Sequence, residues 1–189
     1  MRIVAGKFRG KNLAKTDHLK SLRPTTDKNR EALFNILSSA KFVREIGFKI
    51  IGAEVLDLCC GTGAVGFEAL SRGAKFVTFV EINRDHLEIV HKNSGDLKVD
   101  KDVKIICADA TKLSKNENSF DLIFIDPPYA QDYLLIMKSL LENDWVKKTS
   151  LIVVEFQANS DLANLVLPDF KMMDLRSYGK TGFGFFMIG

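Results

Sequence analysis

The chain has 189 residues, 46% of them hydrophobic and 27% charged, with a formal net charge of +3. That length suits one compact core, and that balance excludes wholesale disorder. No apolar run approaches the roughly 18–20 residues of a bilayer span, and MRIVAGKFRGK lacks the apolar stretch and cleavage site of a secretory signal.

The charge is unevenly spread. The first 30 residues hold nine basic side chains against two acidic ones, a net +7, which leaves −4 on the other 159. A basic arm on a mildly acidic body fits a protein that grips a polyanion; a solvated tail that serves solubility is the plain alternative. The three cysteines, Cys59, Cys60 and Cys107, form no CxxC pair and no Cys/His cluster. Reduced thiols packed in or beside buried strands of a cytoplasmic protein are expected. His18, His86 and His91 are scattered, and no metal is expected.

In chain order, RIVAGKFRGKNL at 2–13 predicts a small β-hairpin with basic side chains on one face. Thr26 is a candidate N-cap with Asp27 in the first turn, ahead of a helix whose Leu33, Phe34, Ile36 and Leu37 recur at helical spacing. Apolar strands then alternate with polar helices. Strands are predicted at 53–58, 76–81, 103–108, 121–126 and 151–156, and helices near 63–72, 84–95 and 131–143. Such alternation implies a parallel sheet covered on both faces. A short helix near 160–167 is expected to close at Pro168. Two strands at 170–177 and 182–188, joined by YGKTG, then bring an antiparallel strand to or near the sheet edge.

EVLDLCCGTGAVGFEAL runs from a buried strand through a glycine loop into a helix. Gly61 and Gly63 let the backbone approach a ligand, and the helix N-terminus offers N–H groups. Glu81, eighteen residues beyond Gly63, is placed to accept hydrogen bonds from ribose hydroxyls. GTGAVG with a distant acid also fits a dinucleotide fingerprint. Two features favour S-adenosylmethionine. Asp57, at the strand end, can meet a methionine amino group, and Asp109 of CADA can bind the exocyclic amine of an adenine. The bland reading is that both aspartates only cap strands or helices.

FDLIFIDPPYA ends a buried strand in Asp126. If the sheet reverses direction between this strand and the first, Asp126–Tyr129 faces the glycine loop across one crevice. An exocyclic amine is a poor nucleophile because its lone pair is delocalised. The Asp126 carboxylate and the Pro127 carbonyl can both accept from that NH2 group and aim its lone pair at a sulfonium methyl. Pro128 keeps the turn rigid, and Tyr129 offers a face for a base that is single-stranded or flipped out. The bland reading is a proline turn with a solvent-facing tyrosine.

DLCCGTG, VEIN, ADA and DPPY occur here in the order found in amino-methyltransferases that depend on S-adenosylmethionine. More narrowly, RIVAGKFRGKNL, LRPTTDKNREALFNIL, GAVGFEALSRGA and YGKTGFGFF resemble the RsmD family over nearly the whole chain. The resemblance implies a Rossmann-like class I α/β methyltransferase with a mostly parallel seven-stranded sheet, an antiparallel C-terminal strand and an N-terminal β-hairpin. It implies a basic extension at 1–25 and a methyltransferase domain at 26–189. The implied activity is methylation of the N2 amine of a guanine in small-subunit (16S) rRNA, free or in the 30S particle. The implied cofactor residues are Asp57, Cys59, Gly61, Gly63, Glu81, Ile82, Asp109 and Ala110, and the catalytic ones Asp126, Pro127, Pro128 and Tyr129. Arg2, Lys7, Arg9, Lys11, Arg23, Thr25 and Arg30 are the expected RNA contacts, with Phe8 and Phe183 as further candidates. A monomer without metal is the default. A DNA adenine-N6 enzyme is the alternative within the class; against it, this sequence has no insert large enough for a DNA recognition domain between Gly63 and Asp126 or after Phe156. An assembly factor that binds the cofactor without turnover is the alternative outside it.

Overall fold

The computed structural model describes residues 1–14, 25–127, 133–158 and 169–189. A short-period alternation organises it. In the strands β1 (Glu54–Leu58), β4 (Phe120–Ile125) and β5 (Val146–Gln157), Val55, Leu122, Phe124, Leu151 and Val153 face one hydrophobic cluster. Leu56, Leu58, Ile123, Ile125, Ile152 and Val154 face the other. Side chains in a strand point alternately to opposite faces, so apolar residues at both parities demand cover on both sides. The first face is covered by α1 (Asp27–Ser39), α2 (Lys41–Glu45), α3 (Ala64–Ser71) and α4 (Arg84–Leu97). The second packs α5 (Tyr133–Glu142) through Ile136, Met137 and Leu140, with Trp145 stacked on Phe120.

With β2 (Phe76–Glu81), β3 (Val103–Cys107), β6 (Phe170–Tyr178) and β7 (Thr181–Ile188), the sheet order is β3-β2-β1-β4-β5-β7-β6. β1 to β5 pair in parallel, and β7 lies antiparallel between β5 and β6. The chain runs outward from β1 to β3 and then returns to β4 on the other side of β1. That reversal opens a crevice at the carboxyl ends of β1 and β4, as expected of an open α/β sheet. The seven strands and the capping of α1 agree with the sequence; the Thr26 hydroxyl accepts from the Asn29 N–H at 3.2 Å.

Three features differ from the sequence reading. β5 starts at Val146 because Ser150 Oγ bonds the Phe120 carbonyl and the Lys147 N–H, keeping the polar KKTS stretch in the ladder. The N-terminal hairpin is a single bridge between Arg2 and Asn12, since Gly6 and Gly10 turn the chain at positive φ before a ladder can build. The helix expected near 160–167 lies outside the described residues.

Residues 1–14 are bound to the body rather than appended to it. Ile3 and Leu13 are buried with Leu33 and Phe34. Glu68 of α3, fully buried, accepts from the Val4 N–H at 2.8 Å, the Ala5 N–H at 3.0 Å and Arg72 Nε at 2.8 Å. A Cβ on Gly6 would lie 1.9 Å from the Ser71 carbonyl oxygen, so only glycine permits this approach. Removing one partner from such a buried network leaves desolvated charge behind. Glu68→Ala is therefore expected to lower stability by about 3–5 kcal/mol in urea titrations. The Val4 and Ala5 amides should lose their protection from hydrogen exchange.

Candidate active site

The parallel register builds the site. Leu58 pairs with Val80 and with Ile125, and Ile125 pairs with Val154. One step further on, Glu81, Cys59, Asp126 and Glu155 form a row across four strand ends. Asp57 lies one pleat below on the same face, shared with Val55, Val77, Phe79 and Phe124, towards α3. Acidic groups from four adjacent strands thus meet at the point where the sheet order reverses.

The glycine loop is held by these acids. Cys59, Gly61 and Gly63 have φ of 58°, 52° and 73°. The left-handed conformation costs a residue with a Cβ, such as Cys59, about 1–2 kcal/mol. Glu81 accepts from the Gly61 N–H at 3.0 Å and from the Ile82 and Asn83 N–H groups at 2.9 and 3.0 Å. His86 Nδ1 stands 3.5 Å from its carboxylate. Asp57 accepts from the Gly66 N–H at 2.8 Å, inside the first turn of α3. The Gly63 N–H donates to the Cys60 carbonyl at 2.8 Å. Asp57 and Glu81 thereby shape the loop, whereas the sequence reading gave Glu81 to ribose hydroxyls and Asp57 to a methionine amino group or a cap. Ile82 presents an exposed apolar side chain beside Glu81, and Ala110 is buried. Asp109 accepts from the Thr111 N–H at 2.9 Å and its hydroxyl at 2.8 Å, which hold its carboxyl below the usual range.

Asp126 donates its N–H to the Leu58 carbonyl at 3.3 Å, tying the end of β4 to the end of β1. Pro127 is buried behind it; Pro128 and Tyr129 lie outside the described residues. Thr25 and Glu155 complete the cluster. The Thr25 hydroxyl donates to Glu155 Oε2 at 2.8 Å and lies 3.5 Å from Asp126 Oδ2. Burial pushes the Asp126 and Glu155 carboxyls upward, and repulsion from Glu155 and then Asp57 adds to the rise at Asp126. Burial raises Asp57 to about 8, against the opposing pull of the Gly66 N–H. The same crowding, with burial leading, raises the thiols of Cys59 and Cys60, which makes them poor nucleophiles. Sequence reasoning missed Glu155. Its signal was an acid closing the apolar run LIVV, one step past the level of Ile125.

The expected RNA contacts divide. Arg2, Lys7, Arg9 and Lys11 are exposed on the N-terminal segment, with Lys7 over the half-buried Phe8 ring at 5.2 Å. Arg23 lies outside the described residues. Arg30 is a correction, since it is fully buried and donates to the Thr25 carbonyl at 2.7 Å, to the Arg2 carbonyl and to Asp27 Oδ1 at 2.8 Å. Thr25 is buried against the acids, and Phe183 is fully buried in the sheet core, so neither faces solvent. Cys107 is exposed at the end of β3 rather than packed. Among the described residues, no group of three His, Cys, Asp or Glu could hold a metal ion, and no helix is long and apolar enough to cross a membrane.

This sheet order, with a glycine loop and acidic strand ends around the switch point, defines a class I methyltransferase. The solved structure of yhhF from Escherichia coli superposes with a TM-score of 0.76 at 25% identity, covering 100% of this chain and 97% of that one. Residues 1–187 match the family described as Conserved hypothetical protein 95, and the chain belongs to that family, the RsmD family. Ribosomal RNA small subunit methyltransferase D of Haemophilus influenzae is 36% identical over 167 residues, 86% of this chain and 81% of that protein. Its namesake in Escherichia coli K12 is 35% identical over 164 residues, 86% and 77% of the two chains.

The raised Asp57 carboxyl gives a pH test. Folding favours its neutral form, so its contribution is fully present below 3.8 and is lost as pH rises through about 8. Asp57→Asn keeps an acceptor for Gly66 and removes the titration. Its melting temperature relative to the native chain is expected to climb steadily between pH ~5 and ~8 in the ligand-free protein.

Proposed function

We propose that this chain transfers a methyl group from S-adenosylmethionine to the exocyclic N2 amine of a guanine in small-subunit rRNA. The observation that carries the reading is the row of acids at the switch point, with Asp126 bonded to the end of β1 beside the glycine loop. Bound there, S-adenosylmethionine would supply an electrophilic methyl on a cationic sulfur. The donor set fits it in two ways. Carboxyls surround the crevice, which suits a cationic ligand. The Gly61, Gly63 and Gly66 N–H groups, which a pyrophosphate would need, are engaged by Glu81, Cys60 and Asp57.

Glu81 would hold the ribose hydroxyls, Ile82 one face of the adenine, and Asp109 with Ala110 its edge. Asp57 keeps α3 in place beneath the methionine end. Asp126 and the Pro127 carbonyl accept from the two N–H groups of the amine, which draws the nitrogen out of conjugation and turns its lone pair towards the methyl carbon. Tyr129 follows Pro128 in the sequence and would supply stacking worth about 1–3 kcal/mol, against a comparable cost of unstacking the base. Arg2, Lys7, Arg9 and Lys11 would neutralise phosphates of the RNA, and this relation supports rRNA over a small-molecule acceptor. The rRNA named for the two relatives points the same way.

Radiolabelled methyl transfer should be followed in parallel on small ribosomal subunits, free rRNA, duplex DNA and protein, with nucleoside analysis of the product. Label in N2-methylguanosine of rRNA is expected; label in DNA adenine, or none, would overturn the reading. Asp126→Asn should lower turnover by about 10²–10³-fold, the scale for losing one preorganised polar contact to the reacting group. Replacing Lys7, Arg9 and Lys11 with alanine should weaken RNA binding and flatten its log–log salt dependence by about two, at roughly 0.7 per phosphate contact on single strands.

A further inference from the structure

Asp126 does not stand alone in the crevice, and its companions come from distant parts of the chain. Glu155 ends the apolar run of β5 and sits level with Asp126 because Ile125 pairs with Val154. Its backbone is fixed on both sides. Phe183 of β7 pairs with it, and the Tyr133 hydroxyl of α5 donates to its carbonyl at 3.3 Å. Thr25 reaches in from the segment ahead of α1, its own carbonyl held by the buried Arg30 guanidinium at 2.7 Å. One hydroxyl therefore meets two carboxyl groups. It donates to Glu155 Oε2 at 2.8 Å and, more weakly, to Asp126 Oδ2 at 3.5 Å.

We propose that Glu155 and Thr25 are positioning residues for Asp126, setting both the aim and the charge of its carboxyl in the methyl-transfer step. The inference rests on Asp126 acting as the amine's acceptor. A carboxylate accepts more strongly than a neutral carboxyl, and the neighbouring Glu155 and Asp57 carboxyls oppose the ionised state of Asp126. Thr25 relieves the opposition by offering its hydroxyl to the charged form of Asp126 as well as to Glu155, and by fixing the gap between the two groups. Among the described residues, Asp57 from β1 faces both carboxyls of this pair and Cys59 on the glycine loop faces Asp126; behind them Glu81 from β2 faces Asp57 and Cys59, and Asp109 beyond β3 faces Cys59. No cation balances the pair in these contacts, so the Thr25 hydroxyl is the donor that matters.

The two residues act on Asp126 with opposite sign, and that sets the experiment. The acidic limb of the pH–rate profile reports ionisation of the acceptor. Glu155→Gln removes a like charge and is expected to move the limb to lower pH by about one unit or more. Thr25→Val removes the hydroxyl at nearly constant shape and is expected to move it to higher pH, while Thr25→Ser restores the native limb. The 13C shift of the Asp126 carboxyl, titrated in the ligand-free protein with the same variants, should show the same opposed displacements. A merely structural role would lower stability and leave both midpoints in place. Unmoved midpoints, or displacements of the same sign, overturn the inference while the methyl-transfer reading stands. Absence of transfer by the native chain overturns that reading instead, and the carboxyl titration then decides the positioning claim alone. Should Thr25→Val fail to fold, Thr25→Ala, which also removes the hydroxyl, gives the comparison with Glu155→Gln.

Discussion

Crowding of like charge at one end of a parallel sheet is the constraint on which the rest depends. Asp57, Glu81, Asp126 and Glu155 share one face of four adjacent strands, where solvent is partly excluded. Carboxylates so placed repel one another and lose hydration, and both effects favour the neutral forms. The fold answers with backbone and hydroxyl donors rather than with lysine or arginine. Gly61, Ile82 and Asn83 serve Glu81, Gly66 serves Asp57, and Thr25 serves Glu155. Such donors hold the acids in place and leave a net negative crevice that a cationic cofactor can enter.

The same arrangement explains the path of the N-terminal segment. Its basic side chains project outward, while its backbone is bolted to α3 through Glu68 and Ser71. Arg30 joins three things at once: the Arg2 carbonyl in that segment, Asp27 at the start of α1, and the Thr25 carbonyl beside the acids. Its guanidinium is fully buried and its Nε is unpartnered, 4.0 Å from Glu68. A buried arginine with imperfect pairing is a weak source of stability and a strong source of geometric definition. It fixes the distance between the surface that would hold RNA and the carboxyl that would hold its base.

Much of this was legible in the sequence, and the reason is periodicity. Strands with apolar residues at both parities could only be central and parallel, and the spacing of DLCCGTG, VEIN, ADA and DPPY along them put every motif at a carboxyl end. The misreadings share one cause. Glu155 passed unremarked inside the strand at 151–156 because its partner, Thr25, is 130 residues away. Arg30 looked like one more RNA contact because its neighbours in sequence are basic and polar. Its burial is decided by Arg2 and Glu68, and helical spacing cannot reveal that. Glu68, inside the apolar helix GFEAL, belongs to the same kind: a charge admitted to the core because another segment brings donors to it.

Charge alone separates the competing uses of the glycine loop. A dinucleotide site needs free N–H groups at the mouth of the first helix and no negative groups around the pyrophosphate. Here the Gly61 and Gly66 N–H groups are already bonded to Glu81 and Asp57, so neither donor is free for a phosphate. Opening those donors would leave two buried acids with less support than they have now, at a cost of roughly 1–3 kcal/mol for each hydrogen bond to a charged group. A cation makes the opposite demand: it draws the acids towards their charged forms and strengthens the very bonds that shape the loop. Loop geometry and ligand charge therefore select for each other. The GTGAVG string is compatible with two cofactor classes, and the acids at the strand ends favour the cationic one.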